Sequence, residues 1–392
     1  MKNYDAFTIN ANSYNEVSES ELVNTNKKFH DLGNDEKFVN YALSYFKAAN
    51  LLNDKLIDYG KIGDIGKLDL CILPLCFLYR HSLELLFKGI FRKSHMEISY
   101  NHNLYSLYEK ITLEVSNDQK NIIEDILKTF EKIDVSSDAY RYPFNKEKKI
   151  FFDELNVYSL NTLQKNIRSI FCIFLDIFDQ NLKEKYPTFF DSADSFNLSM
   201  ENEIRSDDFS FFGPEYAEYY KKYGTYADGY FMAAKILMEE IDDGFQDLNI
   251  PVFLLCEITM ELKLKSLLFD NVCFENIAKQ DKKMNHDIRK SYNRLLKYIF
   301  CDIKKETMST VQQYLSEVLN SMSELYYKAS NSNEKILVKS DKVYKWLKYP
   351  ENSENGQHQS YERLVNCNNN RLFKSFEKAY NVFDYLDYLL NT

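Results

Sequence analysis

The feature that most constrains what this chain folds into is an internal repeat. The segment Leu73–Phe91 aligns with Ile250–Leu268 without a gap, at a constant offset of 177 residues (261 − 84). The identical pairs are Pro74 with Pro251, Leu78 with Leu255, Glu84 with Glu261, Leu85 with Leu262, and Lys88 with Lys265. Self-similarity at a fixed offset is the signature of a repeated structural unit.

Three further blocks recur in the same order around the first. They pair Tyr45–Ala49 with Tyr230–Ala234, Asn101–Leu104 with Asn285–Ile288, and Arg141–Pro143 with Lys348–Pro350. Four collinear blocks are difficult to obtain by chance, so the sequence predicts two tandem copies of one unit.

Both copies are predicted to be helical. Only 10 Gly and 6 Pro occur among the 392 residues, which leaves few tight turns and disfavours an all-β fold. Apolar residues recur at helical spacing between Phe38 and Leu56, and about five helices are expected in each unit. The expected fold class is all-α, with two tandem antiparallel helical bundles related by internal duplication.

Local signals indicate where several of these helices begin. Pro74 and Pro251 each precede a long apolar run and are each expected in a first helical turn, where proline is well tolerated. Asn101 or Asn103 is a good N-cap for the following helix, and Asp287 is one in the second copy. Asp118 is expected to open a further helix in the first copy.

The predicted domain boundaries follow the repeat and the remaining prolines. Pro187 and Pro214 bracket a polar stretch rich in Ser, Asp and Asn, which is typical of a linker. The expected organisation is a polar N-terminal segment at 1–35, bundle one at 36–186, a linker at 187–214 and bundle two at 215–392. Closing helices are expected at Ser159–Leu182 and Leu372–Leu390, with a loop or small hairpin at Arg141–Phe152. The two bundles are expected to pack as an intramolecular pseudo-dimer about a two-fold axis.

Charge and composition argue against several classes of function. A net charge of −10 disfavours broad, unspecific binding of nucleic acid, although it is compatible with a local basic groove. The N-terminus is polar, and the apolar run Ile170–Phe178 is far shorter than the ~20 residues that cross a bilayer. We therefore expect a cytoplasmic protein with no membrane partner. Seven scattered Cys without a CxxC motif and only six His predict reduced thiols, no metal site and no cofactor.

The residues that could carry chemistry lie in the repeated blocks. Arg80, Glu84 and Lys88 stand at i, i+4 and i+8 and therefore share one helix face. The candidate binding residues of the first copy are Arg80, His81, Glu84, Lys88, Asn101, His102, Arg141 and Tyr142. Those of the second copy are Glu261, Lys265, Asn285, His286, Lys348 and Tyr349, with Glu257 and Ile258 in place of Arg80 and His81. We expect His102 to lie near Lys88 and Glu84, and His286 near Lys265 and Glu261.

Two interpretations of these polar residues are open. In the first, Glu84 and Lys88 form a structural ion pair within one helix, because buried charges are costly unless paired, and His102 pins a loop. In the second, a pocket of His, Glu, Lys and Arg side chains binds phosphate or carries acid–base chemistry. A functional pocket should be open to solvent. Because Glu257 stands in place of Arg80, a ligand is expected in the first copy.

The same blocks resemble a known family. The string Phe77–Lys88, followed by Asn101–Leu104 and Arg141–Pro143, is similar to the HEPN superfamily of prokaryotic helical-bundle domains. The resemblance implies a four- to five-helix bundle that commonly dimerises. It also implies an association with RNA cleavage, toxin–antitoxin modules and phage defence. The family's ribonucleases carry an Arg followed by a His after four to six residues, and no His of this chain has that spacing.

Three hypotheses for function follow. The first is a non-nuclease HEPN-like binding or regulatory protein of a bacterial stress or phage-defence system, which recognises a nucleotide, RNA or a partner protein. The second is a metal-independent, toxin-type ribonuclease with a divergent catalytic site formed by Arg80, Glu84, Lys88 and His102. The third is a structural helical scaffold.

Overall fold

The computed structural model describes a core set of residues in both halves of the chain. These residues are 34–97, 102–113, 115–134, 137–144, 151–152, 156–178, 209–212, 222–242, 248–270, 327–329, 335–337, 347–350 and 369–391. The expectations for the N-terminal segment, for Asn101, Asn285 and His286, and for the Asp287 cap lie outside the described residues.

Helices dominate the described residues, as predicted. In the first half they are α1 (Asn34–Lys61), α2 (Ile65–Lys93), α3 (Leu104–Tyr108), α4 (Asn117–Ile133) and α5 (Leu160–Phe178). In the second half they are α6 (Tyr223–Asp242), α7 (Asn249–Phe269) and α8 (Asn369–Asn391). The closing helices α5 and α8 fall where the sequence placed them.

Two short antiparallel ribbons add to the helices, which the all-α expectation did not include. Strand β1 (Asn156–Ser159) pairs with β2 (Phe209–Phe212), with Asn156 opposite Phe212 and Ser159 opposite Phe209. Strand β3 (Tyr327–Ala329) pairs with β4 (Lys335–Leu337). Strand β2 lies within the segment predicted as a linker, so four of those residues are attached to the first half.

Helix α2 is the central helix of the first half. Every residue from Cys71 to Phe91 is buried, and a helix that is apolar on nearly all sides is expected to lie inside a core. It is also long and apolar enough to cross a membrane by length and composition alone, but 94% of its most apolar window is buried within the protein. Helix α7 is buried in the same way from Asn249 to Leu268.

The two repeated prolines occupy different helical positions. Pro251 lies in the first turn of α7, as predicted. Pro74 lies well inside α2, so the prediction that it starts a helix is wrong. The residues before Pro74 bury Leu68, Cys71 and Ile72, and we infer that this burial outweighs the backbone hydrogen bond that an internal proline removes.

Polar side chains set the starts of α3 and α4. The Asn103 side chain accepts a hydrogen bond from the backbone nitrogen of Ser106 at 2.7 Å, which confirms it as an N-cap. Helix α4 begins one residue earlier than expected because Ser116, and not Asp118, caps it. Ser116 and Gln119 form a reciprocal capping box, in which each side chain accepts from the other's backbone nitrogen.

The two halves share one continuous hydrophobic core. The buried apolar side chains from Phe38 to Leu386 form a single cluster. Helices α1 and α2 pack together, as do α6 and α7, and α6 also packs on α2 while α7 packs on α1. Helix α5 covers α2, and α8 covers α7.

The contact between α6 and α2 requires a glycine. A Cβ added at Gly229 would stand 2.2 Å from the backbone oxygen of Leu70, which is closer than any side-chain carbon can approach. The Cys71 thiol is also directed at the Gly229 carbonyl, at 3.8 Å. The backbones of the two halves are therefore in direct contact at this point.

We expect Gly229→Ala to lower the free energy of unfolding by about 1–3 kcal/mol, because backbone must move to admit the methyl group. Urea denaturation monitored by circular dichroism measures this change. Gly66→Ala is the matched control, since Gly66 is also helical and a Cβ there meets nothing within 4 Å. That variant should be neutral or more stable by about 0.5–1 kcal/mol. Equal behaviour of the two variants would contradict the close approach.

Candidate functional site

A buried carboxylate lies at the centre of the candidate site. Glu84 is completely buried on α2, and its Oε1 accepts a hydrogen bond from the Lys88 ammonium at 2.7 Å. The Arg80 guanidinium lies 3.3 Å from the other oxygen, Oε2. The predicted intrahelical ion pair is therefore present, and it extends over two helical turns.

Arg80 also holds two loops against α2. Its guanidinium donates to the backbone carbonyl of His102 at 2.5 Å and approaches the Asp134 carboxylate at 3.4 Å. The Asp134 carboxylate in turn accepts from the backbone nitrogens of Asp138 and Ala139, at 2.6 and 2.9 Å. A single buried arginine thus positions the segment before α3 and the loop after α4.

His102 makes direct contact with Glu84. Its Nδ1 lies 2.8 Å from Glu84 Oε1, which confirms the expectation that the two residues are neighbours. The His102 side chain is 38% exposed, whereas those of Glu84 and Lys88 are 0% and 6% exposed. The cluster is therefore open to solvent at His102 and closed behind it.

The second half of the chain completes this cluster. The Tyr349 hydroxyl donates to Glu84 Oε1 at 2.7 Å and lies 3.0 Å from His102 Nδ1. The Lys88 ammonium lies 4.5 Å from the centroid of the Tyr349 ring, within cation–π range. A tyrosine 265 residues away in sequence therefore satisfies the buried carboxylate of α2.

The equivalent contact runs in the opposite direction. In the second half, Lys265 donates to Glu261 at 2.5 Å, and the Tyr142 hydroxyl of the first half donates to the same oxygen at 3.0 Å. The Lys265 ammonium lies 4.1 Å from the centroid of the Tyr142 ring. Each half therefore supplies a tyrosine to the Glu–Lys pair of the other half.

Two further tyrosines reinforce the junction in the same reciprocal way. Tyr45 donates to the backbone carbonyl of Leu347 at 2.6 Å, and Tyr230 donates to that of Tyr140 at 3.1 Å. His81 has no such equivalent, because Ile258 replaces it. Its Nε2 lies 2.9 Å from the Lys348 carbonyl and donates to it, which attaches the 347–350 segment to α2.

Burial and charge determine the protonation of these groups. Burial would raise the pKa of Glu84, but the Lys88 ammonium and the hydrogen bond from His102 outweigh it and hold that pKa well below its ordinary value. Burial lowers the pKa of His81 well below its ordinary value. Glu84 is therefore charged and His81 neutral at physiological pH.

Lys348 and Arg141 occupy equivalent positions with different environments. The Arg141 guanidinium donates to Asp138 at 2.7 Å and to the Ser137 carbonyl at 2.8 Å. Burial lowers the pKa of Lys348 to about 7, and the charges of Arg141, Lys88 and Arg80 add to this effect while that of Glu84 opposes it. Within the described part of the chain, the Lys348 ammonium has no carboxylate within ion-pair distance.

The cluster offers two kinds of chemistry. Lysine, arginine and protonated histidine side chains around a partly open site bind anions such as phosphate. A histidine oriented by a carboxylate at Nδ1 has Nε2 available for proton transfer. In the described ranges, no group of three or more His, Cys, Asp or Glu side chains could hold a metal ion.

Several residues of the site could not be predicted from the sequence. Asp134 lies outside the repeated blocks, and only the structure reveals it as a partner of Arg80. Tyr45 and Tyr230 lie in the repeated blocks, but the sequence did not predict that each donates a hydrogen bond to the opposite half. The one available signal was that tyrosines recur at equivalent places in two of the four blocks, Tyr45 with Tyr230 and Tyr142 with Tyr349.

No family model, curated protein or solved structure matches this chain. The interpretation of the site therefore depends on its own geometry.

We expect Glu84→Gln to lower the free energy of unfolding by about 3–5 kcal/mol, because it removes the charge that compensates two buried cations. Glu124→Gln is the control, since it removes a carboxylate from an (i, i+4) pair with Lys128 whose lysine is 48% exposed. That change should cost less than about 0.5 kcal/mol. Chemical denaturation at pH 7 measures both variants, and a Glu84 effect below about 1 kcal/mol would contradict the buried network.

Lys348→Met should alter how stability depends on pH. Between pH 7 and 10.5 the unfolded chain holds a proton that folded Lys348 releases, so this residue makes the free energy of unfolding rise with pH. Methionine does not titrate, so the variant lacks this contribution of Lys348 to the pH dependence of the free energy of unfolding. The variant should therefore be more stable than the natural chain near pH 7, and this advantage should shrink by pH 10.

Thermal unfolding at several pH values between 7 and 10 tests this prediction. Lys120→Met is the control, because Lys120 is exposed on α4. If the difference between Lys348→Met and the natural chain is the same at every pH, Lys348 is an ordinary charged lysine in the folded state.

Proposed function

We propose that this chain is a HEPN-like binding or regulatory protein of a bacterial stress or phage-defence system, and that it recognises RNA or a nucleotide by its phosphate. The single observation that carries the ligand class is the cluster of basic side chains around Tyr349, which opens to solvent at His102. It gathers Arg80, Lys88, His102 and Lys348 in a chain whose net charge is −10. A local concentration of positive charge in an acidic protein favours a specific phosphate ligand over unspecific binding.

The proposal includes the internal duplication and an intramolecular pseudo-dimer. The reciprocal tyrosine contacts support it, because a two-fold relation places each copy's equivalent residues on the other copy. Tyr349 on Glu84 and Tyr142 on Glu261 are such a pair, and Tyr45 on Leu347 and Tyr230 on Tyr140 are another. In the HEPN-like interpretation, the dimer of that family corresponds here to two halves of one chain.

A second candidate function is a metal-independent ribonuclease. One observation favours it: Glu84 contacts His102 at Nδ1, and His102 is the exposed member of the pair. That arrangement is suited to general acid–base attack by a ribose hydroxyl on its own phosphate. Arg80 would serve as a positioning residue, since it is 1% exposed and contacts Glu84, Asp134 and the His102 carbonyl.

Equilibrium binding of labelled single-stranded RNA and of a labelled nucleotide tests the first function. We expect His102→Ala and Lys88→Gln each to weaken binding at least about tenfold at fixed ionic strength, because each removes a donor to the phosphate. Lys235→Gln, on the surface of α6, should leave affinity unchanged. Variants must first have the natural circular dichroism spectrum.

Gel analysis of the same RNA after incubation separates the candidates. The binding function predicts intact RNA. Cleavage that persists in chelator and disappears in His102→Ala would establish the ribonuclease in its place. Absence of both binding and cleavage would leave the cluster as a structural junction and overturn both proposals.

A further inference from the structure

The tyrosine-bearing segments of the two halves differ in their charges. The offset that aligns Tyr142 with Tyr349 also aligns Arg141 with Lys348 and Asp138 with Lys345 (349 − 142 and 345 − 138 are both 207). Arg141 is neutralised by Asp138 at 2.7 Å. At the corresponding place Lys348 has a lysine instead of an aspartate three residues before it.

Lys348 is a buried amine, and no carboxylate of the described residues lies within ion-pair distance of it. It is 5% exposed, and its ammonium lies 5.3 Å from the centroid of the Tyr349 ring. The Lys88 ammonium lies 4.5 Å from the same ring, and His102 contacts the hydroxyl at the ring's far end. Three nitrogen groups from three separate segments therefore surround one tyrosine.

The charged neighbours of Lys348 are mostly cations, so its own positive charge is poorly compensated. Arg141, Lys88 and Arg80 act on it as cations and disfavour its own positive charge, while among the described residues Glu84 is the acidic group that favours that charge. Glu84 is already shared by Lys88, His102 and Tyr349. The neutral His81 ring attaches the Lys348 backbone to α2 and adds no charge.

We propose that Lys348 is the anion-responsive group of this cluster, and that it takes up a proton when a phosphate oxyanion binds. This proposal rests on the proposed phosphate-binding function. An anion placed between Lys348, Lys88 and His102 would supply the negative charge that Asp138 supplies to Arg141. The proton comes from solvent and adds to the amine, so one positive charge forms as one negative charge is enclosed.

This mechanism makes ligand binding depend on both halves. Lys88 and His102 belong to the first half, and Lys348 belongs to the second. The segment that carries Lys348 is held in place by His81 and Tyr45 of the first half. The site around Tyr142 has no counterpart of this amine, because Arg141 stays charged and is paired with Asp138. The two otherwise equivalent junctions are therefore expected to differ: the first binds phosphate, and the second is structural.

Calorimetry of the full chain at pH 8, in two buffers of different ionisation enthalpy, measures the proton uptake. The first probe is an RNA trinucleotide without a terminal phosphate, whose diester groups do not titrate in this range. A nucleoside monophosphate in a second arm distinguishes an internal from a terminal phosphate. We expect more than roughly half a proton taken up per phosphate ligand bound, because an amine that titrates near 7 is mostly neutral at pH 8.

Three variants assign the proton. Lys348→Met should abolish the uptake and weaken binding at least about tenfold, while His102→Gln should weaken binding and keep the uptake. Lys120→Met, an exposed lysine, should change neither. If the uptake disappears in His102→Gln and persists in Lys348→Met, the proton goes to the histidine and the proposal is wrong.

The remaining outcomes separate this proposal from the function on which it rests. Binding without proton uptake overturns the role of Lys348 and leaves the phosphate-binding function standing. No binding of either probe overturns both. A titration of ¹³C-labelled lysine that places the Lys348 amine at its ordinary value also overturns the role of Lys348, and it requires no ligand.

Discussion

The burial of Glu84 is the constraint on which the rest of the junction depends. A carboxylate with no exposed surface requires strong partners, and α2 alone provides only Arg80 and Lys88. His102, and Tyr349 of the other half, provide further hydrogen bonds to this carboxylate. An unpaired charge here would cost several kcal/mol, so the carboxylate enforces the docking of the two halves as well as the loop before α3.

The same arrangement is used twice, but with unequal charge. Around Tyr142, Glu261 is paired with Lys265 and Arg141 is paired with Asp138. Little unbalanced charge is therefore left among the described residues there. Around Tyr349, Arg80 adds positive charge, Lys348 adds a buried amine without a paired carboxylate among the described residues, and His102 opens the cluster to solvent. The internal duplication that we propose would allow this divergence, because mutations in one half need not appear in the other. We interpret the Tyr142 junction as structural and the Tyr349 junction as the ligand site.

Much of this organisation could be predicted from residue patterns. The helical fold, the Glu84–Lys88 pair and the proximity of His102 follow from spacing and from the direction in which consecutive helices run. The reciprocity of the tyrosines could not be predicted, because pattern analysis does not determine which surface of one half meets the other. The position of Pro74 inside α2 was also missed, since burial of the preceding turn outweighs the local preference of proline. The pKa of Lys348 depends on its burial and on the charges of Arg141, Lys88, Arg80 and Glu84, and only the folded structure brings these together.

Tyr349 of one half and Glu84 of the other are expected to stabilise the fold as a unit. A double-mutant cycle with Tyr349→Phe and Glu84→Gln measures this coupling directly, by chemical denaturation of the two single variants, the double variant and the natural chain. We expect the two effects to be coupled by about 1–3 kcal/mol, because the phenol and the carboxylate are in contact at 2.7 Å. Effects that add within about 0.3 kcal/mol would contradict it, since independent residues do not join the two halves.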